Sequence, residues 1–301
     1  MIGYTKRMKE VVKLNNQTKG ILCIIAASLG FSLMTFFVKM AGDLPTMEKA
    51  FFRNFVALIV AAFLLIKSGD KFAIKSGCKL DVFLRCLFGT SGLIANFYAI
   101  DKLNIADSNM LNKMSPFFAI IVSVFLLKEK PSKIDIIATV TAFIGVLFVV
   151  RPTGDMAMVP GLIGLYGGFA AGVAYTFVRK LGKKGEKTRV IVFCFSAFSC
   201  LVTLPGFVVN FVPMSTTQFV FLLLAGLSAT IGQFGITSAY KFSPAKRIAV
   251  FDYTQVVFAA LLGLFFLNET PHILSIIGYV IIIGVAVIRS RINLRTSEEI
   301  T

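Results

Sequence analysis

The chain has 301 residues, of which 56% are hydrophobic and only 15% are charged, and its mean hydropathy is +0.83. Soluble domains are usually less than half apolar and about a quarter charged, so this composition excludes an ordinary soluble globular protein. The formal net charge of +16 could instead suggest nucleic-acid binding, because basic patches neutralise phosphates. The Lys and Arg residues, however, lie in short loops beside apolar runs, where they set membrane orientation, so we expect no nucleic-acid partner.

Ten apolar runs of about twenty residues follow one another along the chain, and each is long enough to cross ~30 Å of hydrocarbon as a helix. A membrane barrel is not expected, because its strands would alternate between apolar and polar residues. The predicted fold class is therefore an all-α membrane protein with ten transmembrane helices. Because the connections are short, consecutive helices are expected to be neighbours in the bundle. The predicted spans, numbered one to ten in chain order, are 20–38, 48–66, 81–100, 107–127, 133–150, 159–178, 190–209, 217–238, 247–267 and 272–289.

The Lys and Arg residues alternate loop by loop between the two sides of the membrane. Of the 31, 24 fall on one side, four on the other and three within spans. Because cytoplasmic loops carry the excess of Lys and Arg, the richer side is predicted to be the cytoplasmic one. The chain is thus predicted to be a multi-pass protein of the cell (inner or plasma) membrane with two cytoplasmic ends, a basic N-terminus at 1–17 and a tail at 291–301.

The sequence offers few groups for catalysis or metal binding. Its five cysteines include no C-x-x-C pair, and His272 is its single histidine. The G-x-x-x-x-G-K-[ST] phosphate loop is absent, and so are the H-E-x-x-H and G-x-S-x-G motifs of two hydrolase groups. We therefore predict no catalytic residue, no metal and no cofactor, and hence no enzyme.

The chain matches itself at an offset of 140 residues. In the segment 117–140, nine of 24 positions are identical to their equivalents, and the Glu129-x-Pro131 element recurs as Glu269-x-Pro271. Five spans separate equivalent residues, and an odd number reverses direction, so two inverted five-helix repeats are predicted. Such repeats are typical of secondary transporters, which bind substrate near the midplane between the halves, although some channels also contain them.

Four segments resemble motifs of one family: FFRNFVALIVA (51–61), LLKEKPS (126–132), FDYTQVVFAALLGLFFLNETP (251–271) and IIGYVIIIGVAVI (276–288). The chain is similar over residues 18–290 to the drug/metabolite transporter superfamily, EamA type. The resemblance implies two EamA-like repeats, at 18–151 and 158–290, around a cavity lined mainly by the first, third and fourth helices of each half. It also implies transport of small organic molecules such as amino acids, S-adenosylmethionine and nucleotide precursors.

Polar and ionisable side chains inside a span are costly and usually face the bundle interior or a water-filled path. The repeat pairs such residues in span four with others in span nine, where Asp252 and Gln255 are expected to share one continuous helical face. The alternative is a structural role, through interhelical hydrogen bonds or a Lys113–Asp252 ion pair. The substrate-binding candidates in these two clusters are Asn112, Lys113, Ser115, Asp252, Tyr253 and Gln255.

Three further residues are substrate-binding candidates: Asn96 and Tyr98 in span three and Gln233 in span eight. Amide side chains both donate and accept hydrogen bonds, so they could recognise a zwitterion or the edge of a base. Buried amides that only bridge helices are equally compatible with the sequence.

Span two contains two charged residues, Glu48 and Arg53, which are five positions apart. With Asp252, they are candidates for ion coupling or gating. A structural role is the alternative, in which Arg53 would pair with Glu48 or with Asp107.

Two other patterns predict packing and capping. Glu129 and Glu269 begin loops beside prolines and are predicted to cap helix N-termini. The stripe Gly164-x-x-x-Gly168-x-x-x-Gly172 in span six permits close helix contact and is predicted to pack within the chain rather than at a dimer seam.

The favoured function is a secondary transporter that moves small organic metabolites by alternating access, with hinges at Pro116 and at glycines of spans three and eight. A channel or a small-molecule receptor is the alternative, and a membrane-embedded lipid enzyme is less favoured because the chain has only one histidine. The expected partners are a small-molecule substrate and the lipid bilayer. A monomer is favoured over a dimer.

Overall fold

The computed structural model of the chain describes residues 16–69, 73–128, 132–150, 158–243 and 245–298. The predicted N-terminus at 1–17, the Glu129-x-Pro131 element and the end of the predicted tail lie wholly or mostly outside these ranges. The described helices are α1 (Asn16–Met40), α2 (Thr46–Lys67), α3 (Lys79–Lys102), α4 (Ile105–Asn112), α5 (Ser115–Leu126), α6 (Lys133–Val150), α7 (Met158–Lys183), α8 (Thr188–Val209), α9 (Thr216–Phe242), α10 (Ala245–Asp252), α11 (Thr254–Phe266) and α12 (Ile273–Glu298).

The predicted set of ten spans is confirmed. Seven segments are long and apolar enough to cross a membrane, with α4 and α5 together forming one of them, and three shorter apolar helices at 136–149, 250–266 and 273–288 complete the ten. The described residues contain no strand. Phe125 and Phe265, which are equivalent in the repeat, are 79% and 72% exposed, as expected for side chains that face lipid.

The backbone repeats at the same 140-residue offset as the sequence. Lys128 follows α5 and Asn268 follows α11, and each has a φ of 53°. This left-handed conformation is common just after a helix, but it normally belongs to Gly or Asn and costs most other residues about 1–2 kcal/mol. Both halves therefore end the equivalent helix with the same left-handed turn, which is unfavourable for Lys128 but ordinary for Asn268, and this supports the predicted repeat.

The most extensive helix contacts join the two halves: α1 packs on α9, α3 on α7, α2 on α8 and α6 on α12. Consecutive helices such as α2 and α3 or α8 and α9 are neighbours, as predicted, but their contacts are less extensive than those between the halves. A short loop fixes only where two helix ends lie, whereas close approach depends on small side chains. A Cβ on Gly30 of α1 would lie 2.8 Å from the backbone nitrogen of Gly232, and one on Gly92 of α3 would lie 3.1 Å from the carbonyl oxygen of Gly167.

These contacts also have the symmetry of inverted repeats. Exchange of the halves converts span one into span six and span eight into span three, so the α1–α9 contact becomes the α7–α3 contact. The α2–α8 and α6–α12 contacts each map onto themselves. The core is consequently shared between the halves, and neither half has a separate one.

Span four is interrupted between α4 and α5, so the predicted continuous helix at 107–127 is wrong in this respect. Pro116 lies in the first turn of α5 and lacks the N–H that would bond the carbonyl of Asn112. A single turn of backbone at Lys113 and Met114 connects the two helices.

Span nine is interrupted at the equivalent place, between α10 and α11, although it contains no proline there. The predicted continuous helix at 247–267 is therefore wrong, but Tyr253 at the interruption keeps a helical backbone, with φ −70° and ψ −12°, and the shared face of Asp252 and Gln255 stays a prediction. Contacts with other helices replace the missing backbone bonds: the Ser28 hydroxyl donates to the carbonyl of Asp252 at 3.3 Å. The two interruptions are the main departure of the bundle from ten regular helices.

Candidate substrate-binding site

A cavity lies at the centre of the bundle, between the two halves. Its empty volume is about 580 Å³ including the mouth, of which about 70 Å³ can hold the centre of a water-sized molecule. The larger figure includes open solvent, and the 70 Å³ lie below the usual volume of small-molecule sites, ~300–1,000 Å³, so the cavity is narrow. Its lining consists of Phe31, Met34, Arg53, Arg85, Gly89, Gly92, Leu93, Asn96, Phe97, Asn112, Ala171, Ala174, Tyr175, Phe195, Gln233 and Gln255.

Both halves contribute to this lining. The resemblance implied the first, third and fourth helices of each half, and all six of these spans reach the cavity. The second helix of each half also reaches it, through Arg53 on α2 and Phe195 on α8. The cavity is therefore surrounded by eight spans, and of the described spans only those formed by α6 and α12 lie outside it.

Five of the residues predicted from the sequence line this cavity: Asn96, Asn112, Gln233, Gln255 and Arg53. The remaining six are not part of its lining. Lys113, Asp252 and Tyr253 lie at the helix interruptions, Ser115 lies against α7, Glu48 lies at the start of α2, and Tyr98 is half-buried on α3.

The cavity amides have unused hydrogen-bonding capacity. Asn96 Oδ1, Gln233 Nε2 and Gln255 Oε1 are buried and have no partner among the described residues. The other polar atoms of the two glutamines are engaged: Gln255 Nε2 donates to Asn109 Oδ1, and Gln233 Oε1 accepts from Arg53 at 3.5 Å. Each unpaired atom could therefore bind a polar group of a solute, which would remove the cost of leaving it buried.

Two arginines face the cavity, and the sequence prediction included only one of them. Arg53 and Arg85 are each 2% exposed, and both guanidinium groups lie over the ring of Phe195, at 5.8 and 4.2 Å from its centroid. Arg85 could have been found from its position inside an apolar span, because a charge there is a functional candidate by default. Tyr175, also unpredicted, lines the cavity and stacks on Tyr240 at 5.2 Å.

A buried ion pair links the two helix interruptions. Lys113 Nζ lies 2.6 Å from Asp252 Oδ1, and the two side chains are 4% and 0% exposed. The Tyr253 hydroxyl donates to the carbonyl of Lys113 at 3.1 Å, because the interruption leaves this carbonyl without a helical partner. The pair that the sequence offered as an alternative to substrate binding is thus formed, and Asp252 Oδ2 has no partner among the described residues.

The structural pairing predicted for Arg53 is wrong. Its guanidinium donates to Asn54 and to Gln233 instead of pairing with Glu48 or Asp107. Glu48 accepts from the backbone N–H of Val212 at 3.3 Å, across the gap between α2 and α8. Glu48 and Arg53 are five residues apart along α2, so their side chains lie at different depths in the membrane and do not meet.

Glu269 has the predicted capping role, but it caps a helix of the other half. Its carboxylate accepts from the backbone N–H of Ile105 at the start of α4, at 2.8 Å, and pairs with Lys39 at 3.1 Å. The equivalent Glu129 lies outside the described residues.

The glycine stripe of span six packs within the chain, as predicted. A Cβ on Gly168 would lie 2.4 Å from the carbonyl oxygen of Leu111, and one on Gly172 would lie 2.6 Å from that of Ser115. The interrupted span four therefore rests with its backbone directly on α7.

Ion pairs also join helix ends on both faces of the bundle. At the start of α3, Asp81 pairs with Lys180 at 2.8 Å and with Lys184 at 2.6 Å, and the hydrogen bond that Lys184 donates to Asp81 raises the pKa of Lys184. At the opposite end of α3, Asp101 pairs with Lys49 at 2.6 Å. These pairs hold α3 against α7 at one face and against α2 at the other.

The fold and the cavity are those of a multi-pass membrane transporter built from inverted repeats. A family model described as the EamA-like transporter family matches residues 18–151 and 160–290. The chain belongs to this family, as the resemblance of its motifs indicated.

Relatives that are named as transporters match most of the chain. The pseudopaline exporter CntI of Pseudomonas aeruginosa (strain UCBPP-PA14) is 31% identical over 275 residues, covering 90% of this chain and 96% of the exporter. Solute carrier family 35 member G1 of Mus musculus is 28% identical over 272 residues, covering 84% of this chain and 73% of the carrier. A crystal structure with 16% sequence identity has a TM-score of 0.69 and covers 92% of this chain and 98% of its own, which shows the fold alone.

Proposed function

We propose that this transporter is a secondary carrier that moves small organic metabolites, such as amino acids, S-adenosylmethionine or related solutes, across the cytoplasmic membrane by alternating access. The central cavity is the observation that supports this proposal most directly, because both inverted halves line it. A carrier needs one site that each side of the membrane reaches in turn, and inverted halves provide this by exchanging conformations.

The interrupted spans four and nine are the proposed moving parts. At both interruptions some of the regular helical hydrogen bonds are replaced by bonds to the third residue back, as from Met114 N–H to Leu111 and from Tyr253 N–H to Val250, so bending there breaks fewer regular bonds than in an uninterrupted helix. The Lys113–Asp252 pair joins the two interruptions, and the two spans would therefore move together. Pro116, in the first turn of α5, remains the proposed hinge of span four.

Substrate contact is assigned to the predicted residues that line the cavity: Asn96, Asn112, Gln233, Gln255 and Arg53. The residues at the interruptions, Lys113, Ser115, Asp252 and Tyr253, would act through the moving helices and meet the solute only in another state. Tyr98 and Glu48 lie away from this cavity and have no assigned contact.

Counterflow distinguishes a carrier from a channel or a receptor. The full-length protein would be reconstituted into liposomes loaded with an unlabelled solute, and uptake of the same labelled solute would be followed for a panel of amino acids, S-adenosylmethionine and organic acids. A carrier exchanges the two, so internal solute should accelerate uptake, and Gln233→Leu in the cavity should reduce the exchange. Lys102→Met, at an exposed helix end, is the matched control. Uptake without acceleration would indicate a channel, and absence of uptake across the panel would contradict the proposal.

We propose that both termini are cytoplasmic, on the basis of the 24 Lys and Arg residues on one side. Asp43 and Lys67 are exposed at opposite ends of α2 and serve as labelling sites. In a cysteine-free background, Asp43→Cys should react with an impermeant maleimide in intact cells, and Lys67→Cys only after permeabilisation. The reverse pattern would mean that the chain is oriented the other way.

We also propose that the chain acts as a monomer, because its glycine stripe, a candidate dimer seam, is already occupied by span four. Native mass spectrometry of the purified protein should detect one copy per micelle. A stable species with two copies would contradict this assignment.

A further inference from the structure

Two buried cations face the central cavity without a counterion. Arg53 comes from α2 and Arg85 from α3, and each is 2% exposed. In the part of the chain that the structure describes, the ion pairs all use other residues, and neither guanidinium meets a carboxylate. Burying a charge without a partner is strongly unfavourable, because the charge loses its hydration. The two positions therefore require an explanation other than stability.

The existing contacts of the two groups compensate for little of this loss. Arg53 donates to the Asn54 amide and, at 3.5 Å, to Gln233, while the Nε atoms of both arginines have no partner among the described residues. Phe195 lies near both, but an aromatic ring is a weak substitute for water or for an anion. The hydrogen-bonding capacity of two planar guanidinium groups is thus largely free.

Gly89 makes the position of Arg85 possible. A Cβ on Gly89 would lie only 1.9 Å from Arg85 Nη1, so the guanidinium lies along α3 in the space that any larger residue would occupy. The same helix presents Asn96 to the cavity two turns further on. The local sequence of α3 therefore holds a cation at the cavity wall in a fixed orientation, which is the arrangement of a preformed binding site.

We propose that the transported solute is a small organic anion, whose carboxylate or phosphate group is held by Arg53 and Arg85 beside Phe195. This inference rests on the proposed carrier function and names the substrate class of its site. The planar fork of a guanidinium matches either oxyanion with two parallel hydrogen bonds. The unpaired Asn96 Oδ1 and Gln233 Nε2 would then bind hydroxyl, amine or carbonyl groups on the rest of the solute.

The wild-type protein provides the first test, which needs no variant. Purified full-length protein would be heated at constant ionic strength with succinate, with inorganic phosphate, with glycerol 3-phosphate or with succinamide, the neutral analogue of succinate. Ligands that bind the folded state raise the unfolding midpoint. A shift with succinate but not with the two phosphates identifies a carboxylate, and the opposite identifies a phosphate. Equal shifts for succinate and succinamide would overturn the proposal. So would the absence of a shift with all three anions at about 10 mM, roughly tenfold above the upper end of usual Michaelis constants, ~1 mM.

Variants then test the two arginines. Arg53→Gln and Arg85→Gln should each weaken binding of the stabilising anion roughly 10–100-fold, as expected for loss of charged hydrogen bonds. Gly89→Ala should weaken it similarly although it removes no charge, because it displaces the guanidinium of Arg85. Gly284→Ala, at a glycine with nothing within 4 Å, is the control and should bind normally. Unchanged affinity in Gly89→Ala and in either Gln variant would overturn the assignment.

The outcomes separate this inference from the carrier function. Size-exclusion chromatography reports whether each variant is folded. If a Gln variant is misfolded, Gly89→Ala and the comparison of succinate with succinamide still test whether the cavity binds an anion. Counterflow of a neutral metabolite with no stabilisation by anions would leave a carrier and overturn the anion site. Anion binding that depends on Arg53 and Arg85, with no counterflow of any solute, would support the anion site and contradict the carrier.

Discussion

Removing one partner of the buried Lys113–Asp252 pair should destabilise the protein more than removing both. At the observed N–O distance of 2.6 Å, the attraction is roughly 6 kcal/mol at an effective dielectric constant of about 20, and dehydration of the two groups cancels much of it. When one partner is lost, the other is left buried. Without Lys113, the one side-chain hydrogen bond to Asp252 from the described residues would be that from Ser28, at 3.4 Å. Such uncompensated charges cost about 3–5 kcal/mol.

The change can be measured with Lys113→Met, Asp252→Asn and the double variant Lys113→Met/Asp252→Asn. The chain has no tryptophan, so unfolding is best followed as loss of the monodisperse size-exclusion peak of a fluorescent fusion after heating. At roughly 2–4 °C per kcal/mol, each single variant should lose about 6–20 °C, and the double variant should lose less than either. Lys102→Met, which removes an exposed Lys, should remain within about 2 °C of the wild type.

The unfolding temperatures of the single and double variants together test whether Lys113 and Asp252 interact. If the double variant lost as much as the two single variants together, the two groups would not be coupled, and the structural assignment of the pair would be wrong. If Asp252→Asn had no effect while Lys113→Met did, the carboxylate of Asp252 would contribute nothing to the pair, and the assignment would again be wrong.

Three further predictions use the same heating measurement. Gly168→Ala should lower the free energy of unfolding by about 1–3 kcal/mol, because its Cβ would lie 2.4 Å from the carbonyl of Leu111. Gly284→Ala, in open space, should raise it by about 0.5–1 kcal/mol, and the opposite order of stability would contradict the α4–α7 packing. Glu269→Ala should cost about 1–2 kcal/mol through loss of the α4 cap, and Glu269→Gln should retain most of it; equal losses would mean that the ion pair with Lys39 matters more than the cap. Tyr253→Phe should lower the free energy of unfolding by about 1 kcal/mol, because it leaves the carbonyl of Lys113 unpaired. The control is Tyr166→Phe, which removes an exposed hydroxyl, and a larger destabilisation in the control than in Tyr253→Phe would argue against this bond.

The number of spans and the repeat could be predicted from the sequence because both depend on local properties. Each span needs about twenty apolar residues, and the repeat preserves spacing along the chain. The interruption of span four also had a local signal, because Pro116 removes a helical hydrogen bond. Span nine has Val256 at the equivalent position and gave no such signal. Its interruption depends on contacts with Ser28 and Lys113, which are more than 130 residues away.

Part of the site could also be predicted from the sequence, because a polar residue inside an apolar span is a local property. Asn96, Gln233 and Arg53 could be recognised as polar groups inside apolar spans, and they line the cavity. Arg85 carries the same signal, a charge inside an apolar span, and it also lines the cavity. Which polar residues meet each other depends on the packing of α1 on α9 and of α3 on α7, and no pattern within a single span encodes it. Glu269 illustrates this limit, because its capping role was predicted but its partner lies in the opposite half.

The packing of α1 against α9 has a consequence for biosynthesis. Gly30 meets Gly232, which leaves the ribosome about 200 residues later, or roughly 10–40 s at ~5–20 residues per second. During that interval α1 must remain in the bilayer without its partner, although it carries buried hydroxyl groups. The Ser32 and Thr35 hydroxyls donate to carbonyls one turn earlier in α1 itself, each at 2.9 Å, so the helix satisfies them before any neighbour arrives. The helix can thus be inserted early and assembled late.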